Sequence, residues 1–124
     1  MKDIRYVVNP KHRNMPPKED RTQWIVSAWH EIKLFGEGQL NGWVHENNTV
    51  WAIEYNGEKH TTLGETDRRV AYMAKYVVDH NNEWHGYPVS PSNADRPPSS
   101  ILDDWENKGL ISAPKKRKIV QGKW

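Results

Sequence analysis

His80, Glu83 and His85 lie within six residues of one another, beside Asp79, Trp84 and Tyr87. Two imidazoles and a carboxylate can exchange protons near neutral pH, which is the chemistry a metal-independent ribonuclease needs. His80 and His85 are five positions apart, not the four that align a zinc pair on one helix face. The chain has no Cys to add a thiolate, so neither a metal centre nor a cofactor is expected. A histidine at the end of a helix also has a structural use, because its charged form complements the helix dipole.

The densest charge cluster is Lys115-Lys116-Arg117-Lys118. It falls in the opening turns of a helix expected from Ala113 to Gln121, where cations oppose the dipole and a bound anion would relieve them. With Arg13, Arg96 and Lys123 it forms a candidate surface for nucleic acid or another polyanion. Trp84, Tyr87 and Trp124 are candidate aromatic contacts, since indole and phenol rings stack on unpaired bases and anchor protein interfaces. The structural alternatives are a solvated basic tail and rings that fill the core. No Gly-rich phosphate loop, Gly-x-Ser-x-Gly elbow or His-Glu-x-x-His motif occurs, which points away from enzymes built on those motifs.

These side chains must be carried by a lean chain. Of 124 residues, 23 are Leu, Ile, Val or Phe, a fraction at which disorder becomes a concern when net charge is high. Net charge is only +2, and seven Trp with five Tyr supply large contact areas, so a folded core rich in indoles is expected. Charge is uneven: residues 1–21 carry a net +3, 22–66 a net −4, 67–95 a net −1 and 96–124 a net +4. Any polyanion would therefore meet the ends of the chain. The amino-terminal residues hold no apolar run of signal-peptide length, and no segment approaches a membrane span, so a soluble, cytoplasmic protein without membrane contact is expected.

Ile4 to Val8 reads as a first strand ended by Asn9-Pro10. Residues 9–21 read as an extended surface connection, as do residues 86–100 with four Pro. Residues 22–35 fit a helix, with Ile25, Ala28, Trp29, Ile32 and Phe35 at helical spacing, Asp20 or Thr22 as cap and Gly36 as stop. The same residues also alternate as a strand would. Leu40–Glu46, Thr49–Tyr55 and Glu58–Leu63 read as a three-stranded meander with a turn at Asn56-Gly57. A long helix is expected next, capped by Thr66 and packing Val70, Met73, Ala74 and Val77 across the meander. Two short helices close the chain. The first ends at Gly109, with Leu110 returning to Trp105, and Ser112 caps the second.

Within residues 39–82, Trp51-x-Ile53-x-x-Asn56-Gly57, Leu63-Gly64 and Ala71-Tyr72 resemble the three-strand-plus-helix modules of AP2-type and integrase arm-type DNA-binding domains. That resemblance implies that the open sheet face, Leu40–Glu46 and Thr49–Tyr55, reads DNA. Those strands carry His45, Glu46 and Glu54 and no Arg or Lys, whereas phosphate contacts dominate DNA affinity. The likeness is therefore one of topology. The expectation is a single α+β domain over residues 1–124: a small antiparallel sheet of three or four strands, one long helix across it and two short carboxy-terminal helices. Its expected role is non-enzymatic binding of nucleic acid through the basic end. The alternatives are a protein-binding inhibitor, immunity or accessory factor or a homodimer using exposed Trp, and a ribonuclease centred on His80 and His85.

Overall fold

The computed structural model describes residues 4–18, 21–92 and 95–124. It has the expected α+β class, with three helices and two sheets. The strands are β1 (Arg5–Tyr6), β2 (Gln23–Trp24), β3 (Val44–His45), β4 (Thr49–Ala52), β5 (Gly64–Glu65), β6 (Val70–Ala71), β7 (Met73–Val78) and β8 (Glu83–Val89). The helices are α1 (Ala28–Leu40), α2 (Ser99–Asn107) and α3 (Ala113–Val120). One sheet runs β1-β8-β7-β4-β3, with only β1 parallel to its neighbour, and a smaller antiparallel sheet runs β2-β5-β6. Among the described residues no helix is long and apolar enough to cross a membrane.

The helix expected over residues 66–80 is instead β6 and β7. Val70, Met73, Ala74 and Val77 do match helical spacing, but Tyr76, Val77 and Val78 prefer an extended backbone. The deciding interaction is nonlocal. β7 is bonded along both edges, to β4 with Tyr76 opposite Val50 and to β8 with Tyr76 opposite Gly86. Gly86 is required there: a Cβ on it would lie 2.3 Å from the Tyr76 ring. With no helix after the meander, the arrangement that resembles the AP2-type modules does not form. Residues 58–63 also leave the main sheet. They make a bridge from Tyr55 to His60 at the Asn56-Gly57 turn and then lead into β5. The segment 86–100 is not wholly a connection either, since its first four residues complete β8.

The long helix is α1, within the stretch left open between helix and strand. It starts at Ser27, whose Oγ accepts from His30 N at 3.1 Å, and it runs through Gly36 to end at Asn41-Gly42. Of the proposed caps, Thr22 lies upstream of β2 and Asp20 is outside the described residues. The buried face of α1 is Glu31, Leu34, Phe35 and Gly38. Of the apolar set read from the sequence only Phe35 is in the core; Ile25, Trp29 and Ile32 are exposed.

Two constraints turn the helix this way. Glu31 is fully buried, and its carboxylate takes Nε and Nη2 of Arg13 at 3.1 and 2.7 Å together with the Tyr6 hydroxyl. The Tyr76 hydroxyl donates to the Glu31 carbonyl at 2.7 Å. One turn on from Leu34, Gly38 lies against β4, where a Cβ would come within 2.6 Å of Val50 and 2.7 Å of the Trp51 carbonyl oxygen. Burial and the neighbouring Glu31 raise the Tyr6 and Tyr76 hydroxyls well above their ordinary pKa, so both remain donors across the physiological range.

The carboxy-terminal helices form as expected. Gly109 has φ +74, Leu110 N returns to Trp105 O at 2.8 Å, and Ser112 Oγ accepts from Lys115 N. Trp105 is buried and meets Trp43 edge-on at 5.8 Å, while Trp43 Nε1 donates to Asp104 at 2.8 Å. This docks α2 beside β3.

Removing Arg13 leaves the Glu31 carboxylate buried without its cation. Arg13→Ala is expected to lower the unfolding free energy by about 3 kcal/mol or more, read from urea unfolding at neutral pH. A loss below about 0.5 kcal/mol, as for an ordinary surface change, would show that Arg13 does not hold Glu31 in solution.

Candidate functional site

Glu83 and His85 lie two apart on β8, on one side of the strand, and the β7–β8 turn brings Asp79 beside them. One ligand-type atom from each of Asp79, Glu83 and His85 lies within 4.8 Å of the others. His80, grouped with them on sequence spacing, is exposed in the turn and is not part of this cluster. Asp79 is already committed. Its Oδ1 accepts from Asn81 N and Glu83 N at 2.8 and 3.1 Å, and its Oδ2 takes His85 Nε2 at 3.0 Å. Those bonds, His85 first, hold its carboxyl below the usual range. These bonds engage Asp79 and one nitrogen of His85 in closing the hairpin, while the buried His85 Nδ1 has no hydrogen-bond partner among the described residues.

The basic run divides. Lys115 Nζ lies 4.6 Å from the centre of the Trp124 ring, and partial burial with Lys118 nearby lowers its pKa. Lys116 is held between Asp103 and Glu106, which raise its pKa. Arg96 donates to Val120 O at the end of α3. Arg117, Lys118 and Lys123 are exposed. A polar cleft of about 500 Å³ opens beside the end of α3, lined by Thr66, Arg68, Arg69, Ser90, Asp95 and Gln121 among others.

The three rings proposed as contacts are engaged within the chain. Trp84 is buried 5.2 Å from Phe35. Tyr87 is half-buried and stacks on His12, and burial, with Asp95, pushes its hydroxyl up to about 12. Trp124 folds back to stack on Tyr72 at 5.1 Å, with His60 edge-on to it.

The exposed indole is Trp29, at 75%. It stands on the outward face of α1 with Ile32, Gly36 and Leu40, and Leu40 is 89% exposed. Successive helical residues turn by about 100°, so these positions lie on the side opposite Glu31, Leu34 and Gly38. Sequence reasoning missed this face because it reads as a core stripe. The available signal was the second stripe, Leu34 with the only Phe, which competes for the same interior.

Compared with known proteins, the chain matches no family model, no curated protein and no solved structure.

Two histidines are folded in as neutral rings. His12 is buried, with Nδ1 2.7 Å from Thr22 O, and His60 Nε2 lies 2.7 Å from Leu110 O. Burial lowers both pKa values, outweighing the carbonyl contacts that raise them. Because the folded values lie below the unfolded one, the unfolded chain takes up protons first as pH falls. Stability from these sites is complete above about pH 6.5 and is lost as pH drops through the folded values. Thermal midpoints are expected to fall from pH 7.5 to pH 5, and His60→Gln should flatten that slope. A midpoint that rises over the same interval would refute the assignment.

Proposed function

We propose that the chain is a non-enzymatic protein-binding module whose contact surface is the outward face of α1. The exposure of Trp29 beside Leu40 on a regular helix is the observation that carries this reading. A large indole left in water forgoes about 2 kcal/mol of burial, and Trp is the residue type most enriched among interface hot spots. The opposite face of α1 is held by Arg13 and Tyr6, so the contact residues are presented on a rigid element and little ordering entropy opposes binding.

Trp29→Asp should weaken binding of any protein partner, a second copy included, at least tenfold, with the unfolding free energy changed by no more than about 0.5 kcal/mol. Pulldown from host lysate and sedimentation of the pure chain give the readouts. Equal binding by both proteins would sink the reading.

A second reading, polyanion contact, is supported by the exposure of Arg117, Lys118 and Lys123. Retention on heparin at low salt should then be lost in a double Arg117→Ala, Lys118→Ala variant and kept in Lys116→Ala, because Lys116 is already paired. Elution of the double variant at the wild-type salt concentration would end that reading.

A further inference from the structure

The outward face of α1 is complementary to itself. Trp29 and Leu40 stand near its two ends, eleven residues apart, which is about 16 Å along the axis. Their midpoint is level with Leu34 and Phe35. Between them lie Ile32 on one side of the stripe, Lys33 and Glu37 on the other, and Gly36 close to the middle. An added Cβ on Gly36 would meet nothing within 4 Å. A glycine inside a helix costs about 1 kcal/mol relative to Ala, and no packing within the chain calls for it here. The absent side chain leaves a hollow in an otherwise bulky apolar row.

We propose that the partner of this face is a second copy of the chain, packed α1 against α1 antiparallel about a two-fold axis at that midpoint. The proposal rests on reading α1 as a docking face, and names its occupant. A two-fold axis perpendicular to both helices sends each position to the mirrored height on the partner and keeps it on the same side of the contact. Three reciprocal pairings result. Trp29 of one copy lies over Leu40 of the other. Ile32 enters the hollow above Gly36 of the other copy, a knob in a hole. Lys33 comes within one residue's rise, about 1.5 Å, of the height of Glu37 of the other copy on the same flank.

Charge supports this choice of occupant. Within one chain Lys33 Nζ and Glu37 Oε1 are 4.0 Å apart, with side chains 56% and 41% exposed, a contact of little strength in water. Across the two-fold axis the same two residues pair twice, so the flank is neutral overall and attractive in this orientation. In a parallel pair the two-fold axis runs along the helices and exchanges the flanks, so Lys33 and Glu37 of one copy would lie across from the Ile32 side of the other and find no opposite charge. A face meant for a charged or nucleic-acid ligand would not balance its own charge in this way. The contact of one thirteen-residue helix with its copy is small, at the lower end of interface sizes, so reversible association is expected.

Sedimentation of the full chain over a concentration series from about 1 μM to about 1 mM tests the proposal. The wild type is expected to pass from monomer to dimer, and Trp29→Asp to remain monomeric throughout. Lys33→Glu and Glu37→Lys should each weaken the dimer about tenfold, since each sets like charges opposite one another. The combined K33E/E37K variant should recover wild-type association. Circular dichroism and the thermal midpoint of each variant verify that it is folded, and the charge variants keep the apolar stripe intact. A wild type that stays monomeric overturns the proposal, as does a dimer indifferent to Trp29→Asp or a double variant that fails to recover. If the chain is monomeric yet Trp29→Asp abolishes capture of a host protein, the docking face stands and its occupant is a different protein. If Trp29→Asp alters no binding of either kind, both fall.

Discussion

The orientation of α1 and of the amino-terminal segment follows from one buried carboxylate. Glu31 is fully enclosed, where an unpaired charge would be strongly unfavourable, and it is tolerated because Arg13 and Tyr6 reach it from the amino-terminal segment. That segment is itself set in place: β1 lies along β8, and Arg13 Nη1 also donates to Val26 O at 2.9 Å just before α1. Tyr76 donates from β7 to the Glu31 carbonyl, and its ring has room because residue 86 is Gly. The amino terminus, the centre of the sheet and α1 therefore meet at a single residue. The rotation of α1 is not adjustable. Glu31 and Gly38 must both face inward, and Trp29, two residues from the first and nine from the second, is turned by about 200° and 180° from them. The same network that stabilises the helix thus holds an indole in water.

Local signals were legible in the sequence and nonlocal ones were not. The ends of α2 and α3 were readable because each rests on a few adjacent residues: Gly109 with Leu110 and Trp105, and Ser112 with Lys115. Residues 70–78 read as a helix in sequence and fold as strands for the opposite reason. Their spacing suits either structure, and the choice is made by partners about twenty-five residues upstream in β4 and ten downstream in β8. The existence of α1 was only one of two open readings, and its buried face was misassigned. A hydrophobic stripe is read as core because burial is the usual fate of such residues. Nothing in residues 22–40 shows that a glutamate will be drawn inside by an arginine eighteen positions earlier.

The candidate sites divide along the same line. Clusters of charge and rings are visible in sequence, but whether they are already satisfied is not. Asp79, an ordinary turn residue in sequence, takes Nε2 of His85 and two hairpin amides. Asp103 and Glu106, one helix away, take Lys116, and the final residue of the chain covers Lys115. Each of these partners is an ordinary surface residue in sequence. Functional meaning therefore shifts from the densest clusters to the side chains left over once internal pairing is complete.

Applied to the indoles, that criterion separates one from the rest. A chain with a single Phe and few aliphatic residues has to fill its interior with rings. Trp24, Trp43, Trp51, Trp84 and Trp105 are buried, and Trp124 lies against Tyr72 and His60. Scarcity of apolar volume makes each ring valuable inside, so an indole kept outside is not surplus in the sense of a missing place to go. Trp29 is outside because the position it occupies is fixed by Glu31 and Gly38, and a smaller polar residue there would serve the monomer equally well. The presence of Trp at that position, with Leu40 and an open hollow at Gly36 along the same face, thus has no explanation in the packing of the single chain.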